Sequence, residues 1–440
     1  MNRVLGMLIV GGAISLPNIA TSQTLTQVLG APLTAASLDS PVFVSSWPGN
    51  TSILVVVERG SRKITYWDTS VAGIPNHVVL DLAPLAHMPG GFSDFAGVTA
   101  FAFHPDFLTD PAKRFFYVRY NSPNPAPTTH IDRWEIPPGS LKAYPNTRTA
   151  IYTFPTASTS HPSGTIHFDT APSASSKLYV PMPDNSGVSI PVSAMDCCDQ
   201  SRVQGTMGPT DLGQLMAIDV DATPPVAWSN AVGLRNPFGF SVDAGDVATG
   251  FGQGDVWIGD VGHTFTGNII RWVPGGAYRN YGWPWSEGNG NALWPMQPQI
   301  QQTPCGASPS NVPVTCGEPV PTTYSLPYTV FSDFQEFPNG GRDALIGGYV
   351  YRRSIVPALT NEYVFATYGA GVQPRVYRLP AAGGGGVTPT NMSATLGLMS
   401  WSTDHTIHAL GQDIKGEIYI VRVDESGGLT GNGDIFRITP

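Results

Sequence analysis

The stretch LVVVERGSRKITYWD, residues 54–68, holds a β-branched apolar run, a polar turn around Gly60 and a second run in which apolar and polar residues alternate. Alternation with period two is what a half-buried strand requires, and Gly, Ser and charged residues between two such runs mark a turn. The same pair recurs along the chain. FFYV (115–118), KLYV (177–180), DVWI (255–258), YVFA (363–366) and EIYI (417–420) each precede a second run: IDRWEI from Ile131, QLMAIDV from Gln214, NIIRWVP from Asn268, RVYRLP from Arg375 and DIFRITP from Asp434. With the first, these make six strand pairs. Copies start roughly 55–110 residues apart, farther than the ~40–50 of compact propeller repeats, so long inserted loops are expected, mainly between the fourth and fifth copies.

The composition agrees with many short strands joined by turns: 49 Gly and 41 Pro in 440 residues, with only 12% charged side chains. Radial repetition of small antiparallel sheets leaves only short protected edges. The reading is therefore an all-β chain, a six-bladed β-propeller with long inserted loops, in which DIFRITP closes the ring by pairing with an N-terminal strand. A pair of β-sandwiches or a β-helix is the competing architecture.

Residues 1–22 carry one cation, Arg3, an apolar stretch from Val4 to Leu16, and small residues at Ala20 and Ser22, the pattern of a secretory signal. The propeller domain then spans residues 23–440, secreted or periplasmic, with no membrane span in the mature chain. Removing Arg3 turns 23 basic residues into 22 against 32 acidic, a net charge of −10 without any basic block, which argues against nucleic acid or an anionic membrane as partner. The cysteines fall as Cys197–Cys198 and Cys305…Cys316. An exported chain permits disulfides; Cys305 and Cys316 would close a short loop, whereas Cys197 and Cys198 fit a vicinal disulfide, two thiols or two outside partners.

Chemistry in a propeller is sought where loops converge over its axis. Three stretches offer it: HPSGTIHF (161–168), VPMPDNSG (180–187) and GLRNPFGF (233–240), the last placing an arginine among apolar residues. An unpaired buried charge there would be costly. These stretches, with AFAFHPDF (100–107), GQLMAIDVD (213–221), GDVWIGDVG (254–262), NYGWPWSEG (280–288), GGYVYRR (347–353) and GQDIKGEIYI (411–420), give a chain that resembles the soluble pyrroloquinoline-quinone (PQQ) dependent glucose and sorbosone dehydrogenases.

The resemblance implies a quinoprotein oxidoreductase that oxidises an aldose at its anomeric carbon, with hydride passing to PQQ beside a calcium ion and electrons leaving to an external acceptor. By motif, His161 matches the general base, suited by an imidazole pKa near working pH. Asp184 matches the carboxylate that orients it. Arg235 matches the cation over the quinone, which stabilises charge appearing in the transition state, and Asn236 its neighbour on the cofactor. Gln214 and His263 stand at further cofactor-contact positions. Thr264 and Phe265 stand where backbone carbonyls would hold calcium, a hard cation that accepts oxygen ligands.

The sequence also departs from that pattern. Phe95 and Ala96 replace a Glu-Gln pair, Gln214 replaces a lysine, Gly267 and Asn268 replace an acidic pair, and His161-Pro162-Ser163-Gly164 replaces His-Asn-Gly-Gly. Two other functions compete on these grounds: a cofactor-free propeller that binds a ligand or carbohydrate, and a calcium-dependent lactonase-type hydrolase. His104 and His167 read as structural, His405 and His408 as a pair flanking a strand, and Trp283, Trp285 and Trp294 as packing under a long loop.

Overall fold

A computed structural model describes residues 23–30, 37–71, 74, 76–90, 94–123, 128–155, 161, 164–170, 176–184, 212–246, 248–262, 266–283, 325–332, 344–369, 371–383, 385–426 and 431–440. They form an all-β, propeller-like fold of antiparallel meanders, with 3-10 turns as the helical elements. Strands Pro41–Trp47, Asn50–Glu58, Lys63–Asp68 and Asn76–Asp81 make one meander. Val98–Phe103 to Thr149–Pro155 make the next, and His167–Phe168, Lys177–Met182, Gln214–Asp219 and Val226–Val232 the one after it. Two more begin at Pro237–Val242 and Leu345–Tyr351.

The final meander, His405–Gln412, Ile418–Asp424 and Asn432–Thr439, takes its outer strand from the other end of the chain. Thr24–Leu29 pairs antiparallel with Asn432–Thr439, in register from Thr24↔Thr439 to Leu29↔Ile435. This is the closing contact expected of DIFRITP. One parallel pair, Gln412 with Ser45, joins this meander to the first.

All twelve runs of the recurring pair lie within, or overlap, the second and third strands of these meanders. The first strands carry the architecture. Pro41–Trp47 touches Val98–Phe103, which touches His167–Phe168, then Pro237–Val242, Leu345–Tyr351, His405–Gln412 and again Pro41–Trp47, so they stand in a closed ring. Residues from each, or from just before it, line one axial cavity: Val42, Thr99, Thr165, Phe240, Tyr349 and Leu410 among them. Between meanders, apolar clusters such as Val55, Val57, Phe101, Phe116 and Trp134 fill the wedge that widens outward.

Near the axis the backbones approach so closely that side chains do not fit. A Cβ on Gly164 would overlap the carbonyl oxygen of Phe238, and one on Gly347 that of Gly239. Gly347 also has φ +80°, a conformation L side chains rarely adopt. Gly347→Ala should therefore cost about 3 kcal/mol through overlap and strain together. Gly371→Ala, at φ +70° with nothing within 4 Å, should cost about 1 kcal/mol from the backbone alone. Urea unfolding of both variants checks the difference; equal losses would remove axial crowding as the cause.

Candidate functional site

Asp184, Arg235 and Asp260 all sit where a strand ends or a connection turns. Asp184 follows Lys177–Met182, Arg235 lies between Val226–Val232 and Pro237–Val242, and Asp260 ends Val256–Asp260. Pro237 faces Asp260 in register, which brings the two connections to one rim. Proline at 237 fixes its own φ and biases Asn236 toward an extended conformation.

The loop is then gripped from both sides. The Asp260 carboxylate accepts the backbone N–H groups of Arg235 (3.1 and 3.2 Å) and Asn236 (2.8 Å), while Val261 N–H donates to the Asn236 carbonyl at 3.0 Å. On the other flank Asp184 N–H donates to the Arg235 carbonyl at 2.7 Å. The two connections are therefore tied to each other through backbone groups.

These contacts bring the three residues singled out from the sequence together. His161 Nδ1 lies 2.9 Å from Asp184 Oδ1, and Arg235 Nη2 lies 3.4 Å from His161 Nε2. An ionised carboxylate only accepts, so Nδ1 carries the proton and Nε2 presents its lone pair to the guanidinium. Asp184 Oδ2 accepts the indole N–H of Trp283 at 2.9 Å, and the Arg235 guanidinium carbon stands 5.4 Å from the Trp283 ring centroid. Arg235 Nη1 donates to the carbonyls of Val261 (2.9 Å) and Gly262 (2.8 Å). His161, Asp184, Arg235 and Asn236 are all buried.

The charge among apolar residues is thus compensated by two carbonyls, an indole face and two nearby carboxylates. On this loop Arg235 Nε and Asn236 Oδ1 are buried and without a hydrogen-bond partner among the described residues. A buried orphan of this kind is expensive unless something satisfies it. An acceptor for the guanidinium and a donor for the amide oxygen are what this wall lacks.

Other sequence expectations fall differently. Gln214 is buried, its backbone paired with Met182 and Val232. It lies one residue from Gly213, whose carbonyl accepts Leu234 N–H at 3.1 Å. His263, Thr264, Phe265, Pro162, Ser163, Trp285, Trp294, the signal-like segment and all four cysteines lie outside the described residues. The axial cavity is about 30 Å³, room for a water or two. Phe95 and Arg59 line it, and His161, Asp184 and Arg235 do not.

His167 is structural, packed edge-on against Phe43, Phe240 and Tyr349, with burial pushing its imidazole down to about 4. His104 is buried too, 3.3 Å from Asp221. His408 lies 2.8 Å from Glu425, and His405 Nδ1 accepts Ser402 N–H at 3.3 Å, so the two histidines serve separate local contacts. No group of three or more His, Cys, Asp or Glu among the described residues could hold a metal ion.

Sequence reasoning missed Asp260 and assigned Trp283 to packing. Asp260 stood inside GDVWIGDVG, where a strand-end aspartate looks like a turn residue; its signal was its place opposite the proline of GLRNPFGF.

No protein-family model matches the sequence, and no curated protein matches it. Solved structures do resemble its fold. A glucose dehydrogenase superposes with a TM-score of 0.60 at 16% identity, covering 95% of this chain and 99% of that one. The apo form of the soluble aldose sugar dehydrogenase from Escherichia coli gives 0.58 at 15% identity, with the same coverage. At such identity the likeness is one of fold.

Burial pushes the Asp260 carboxyl up to about 7, against the pull of the two backbone N–H donors and the Arg235 guanidinium. The folded chain then holds a proton that an unfolded carboxyl releases near pH 4. The stability this group contributes is present below about pH 4 and is lost as pH rises through about 7. The unfolding free energy of the wild type minus that of Asp260→Asn should fall by on the order of 3 kcal/mol between pH 4 and 7.5 and then level off. A flat difference across that range would place the carboxyl at its ordinary value.

Proposed function

We propose that the chain is a secreted sugar oxidoreductase that uses PQQ to oxidise an aldose at its anomeric carbon, on a six-bladed β-propeller whose blades are the meanders described above. The observation that carries this reading is the buried His161–Asp184–Arg235 assembly with its uncommitted Arg235 Nε and Asn236 Oδ1. Fold likeness to a glucose dehydrogenase and an aldose sugar dehydrogenase supports it.

A planar acid rich in carbonyl oxygens suits a guanidinium with an N–H to spare, so Arg235 and Asn236 would hold PQQ, with Gln214 and His263 as the further contacts the resemblance implies. It would lie against this pair. When bound, it supplies an electrophilic carbonyl that accepts hydride. Calcium is less well provided for. The Asp260 oxygens and the Val261 and Gly262 carbonyls are already engaged, leaving Asn236 Oδ1 and Asn268 Oδ1 as free buried oxygens around Asp260. That falls short of the roughly six to eight oxygens calcium takes, and no step is assigned to it; Thr264 and Phe265 are the remaining proposed ligands.

The chain's own residues perform the proton chemistry. His161 accepts the sugar hydroxyl proton at Nε2, the nitrogen not engaged by Asp184. Asp184 then faces an imidazolium across the same 2.9 Å contact and stabilises it. Trp283 holds the second carboxylate oxygen, so the acid cannot turn away from the ring. Arg235, fixed by two carbonyls, meets negative charge without having to reorganise.

A second reading, a cofactor-free binding module, is favoured by the small axial cavity and by Phe95 on its wall, where the aligned position would be polar. Titration of the purified protein with PQQ and calcium separates the two. Saturable uptake at micromolar quinone and dye reduction with aldoses are expected, and His161→Ala should lower kcat/KM by roughly 10²–10⁴-fold with the fold intact. Absence of uptake would hand the protein to the binding module.

A further inference from the structure

Far from the rim that carries His161, the neighbouring meanders leave a second cleft, of about 280 Å³. Its walls come from two directions. Trp228, Ser229 and Asn230 lie on Val226–Val232, the outer strand of one meander, and Lys177 begins Lys177–Met182 of the same sheet. Trp272 ends Thr266–Trp272 of the next meander, and Tyr278 follows the turn through Gly275 and Gly276. Lys177 stands at the opposite end of its strand from Asp184, a strand length of roughly 20 Å away.

The cleft's chemistry is specific. Trp228 is half-buried and Tyr278 is 58% exposed, so aromatic surface is left open here. The Tyr278 and Ser229 hydroxyls are 3.2 Å apart, and since one proton joins them, the other hydroxyl proton remains to be donated outward. The Trp228 indole N–H donates to Asn230 Oδ1 at 3.2 Å, which fixes both side chains; Asn230 Nδ2 is without an acceptor among the described residues. Among the described residues, Lys177 is the one charged side chain lining the cleft.

From these groups we infer a saccharide-binding site, taking one or two pyranose units between Trp228 and Tyr278, independent of the redox site. A sugar has an apolar C–H face for aromatic surface and a rim of hydroxyls that both donate and accept. The cleft offers rings for the first and hydroxyl, amide and ammonium groups for the second. Its volume lies just under the roughly 300–1,000 Å³ of small-molecule clefts, too little for a folded partner's segment. Among the described residues the lining has no guanidinium fork, the usual partner of a phosphate, and no carboxylate to attract an amine.

Calorimetric titration of the full chain with cellotriose, maltotriose and trigalacturonate tests this. Saturable binding of at least one trisaccharide is expected, weakened roughly tenfold in Trp228→Ala and in the surface variant Tyr278→Ala, and unchanged in His161→Ala. Tyr278 lies at the edge of the cleft, so its variant reports even where Trp228→Ala fails to fold. No saturable heat with any of the three sugars would overturn the inference. So would binding that His161→Ala abolishes and Tyr278→Ala spares, which places the sugar at the other rim. Binding of AMP in place of the sugars would overturn it as well.

Discussion

Crowding at the axis governs this molecule. A ring of first strands can close only if neighbouring backbones come within reach of one another, and near the centre that leaves no room for a Cβ at Gly164 or Gly347. Farther out the gaps between meanders widen, and there the sequence supplies large rings: Trp134, Trp257 and Tyr363 are fully buried. Small residues inside and large ones outside are thus one geometric requirement, met from two sides. The Arg235 loop inherits its position from it, because it enters the first strand Pro237–Val242.

The rim assembly shows how a chain can keep a guanidinium out of water without trapping it. Arg235 is held through its backbone by the Asp260 carboxylate and through its side chain by two carbonyls. Holding the main chain is the unusual part. A carboxylate spent on peptide N–H groups shares its pull between them and the nearby cation, and its own burial pushes it up to about 7.

Much of the architecture was legible because a short apolar second strand followed by a mixed apolar and polar third strand, as in KITYWD, recurs along the chain. First strands escaped for a physical reason. LIGGYVY, Leu345–Tyr351, is buried along its whole length, so it has no alternation to read. His167–Phe168 is too short for any pattern. At the site, His161, Asp184 and Arg235 were found because motif order marked them, and they do meet. Trp283 was assigned to packing because an indole's apolar bulk is visible in sequence while the direction of its one N–H is not.

One further consequence concerns how such a ring is completed during folding. Thr24 and Thr439, hydrogen-bonded side chain to side chain at 2.9 Å, are 415 positions apart. Until the last strand exists, the first has no partner, and the edge of Asn432–Thr439 stays open to any other extended segment. Contacts this remote in sequence carry the largest loop-closure entropy and form late. The clasp is therefore the strand pairing whose closure costs the most chain entropy. A rearranged chain with its ends moved to a surface turn would build the clasp meander from contiguous residues and shorten that vulnerable interval.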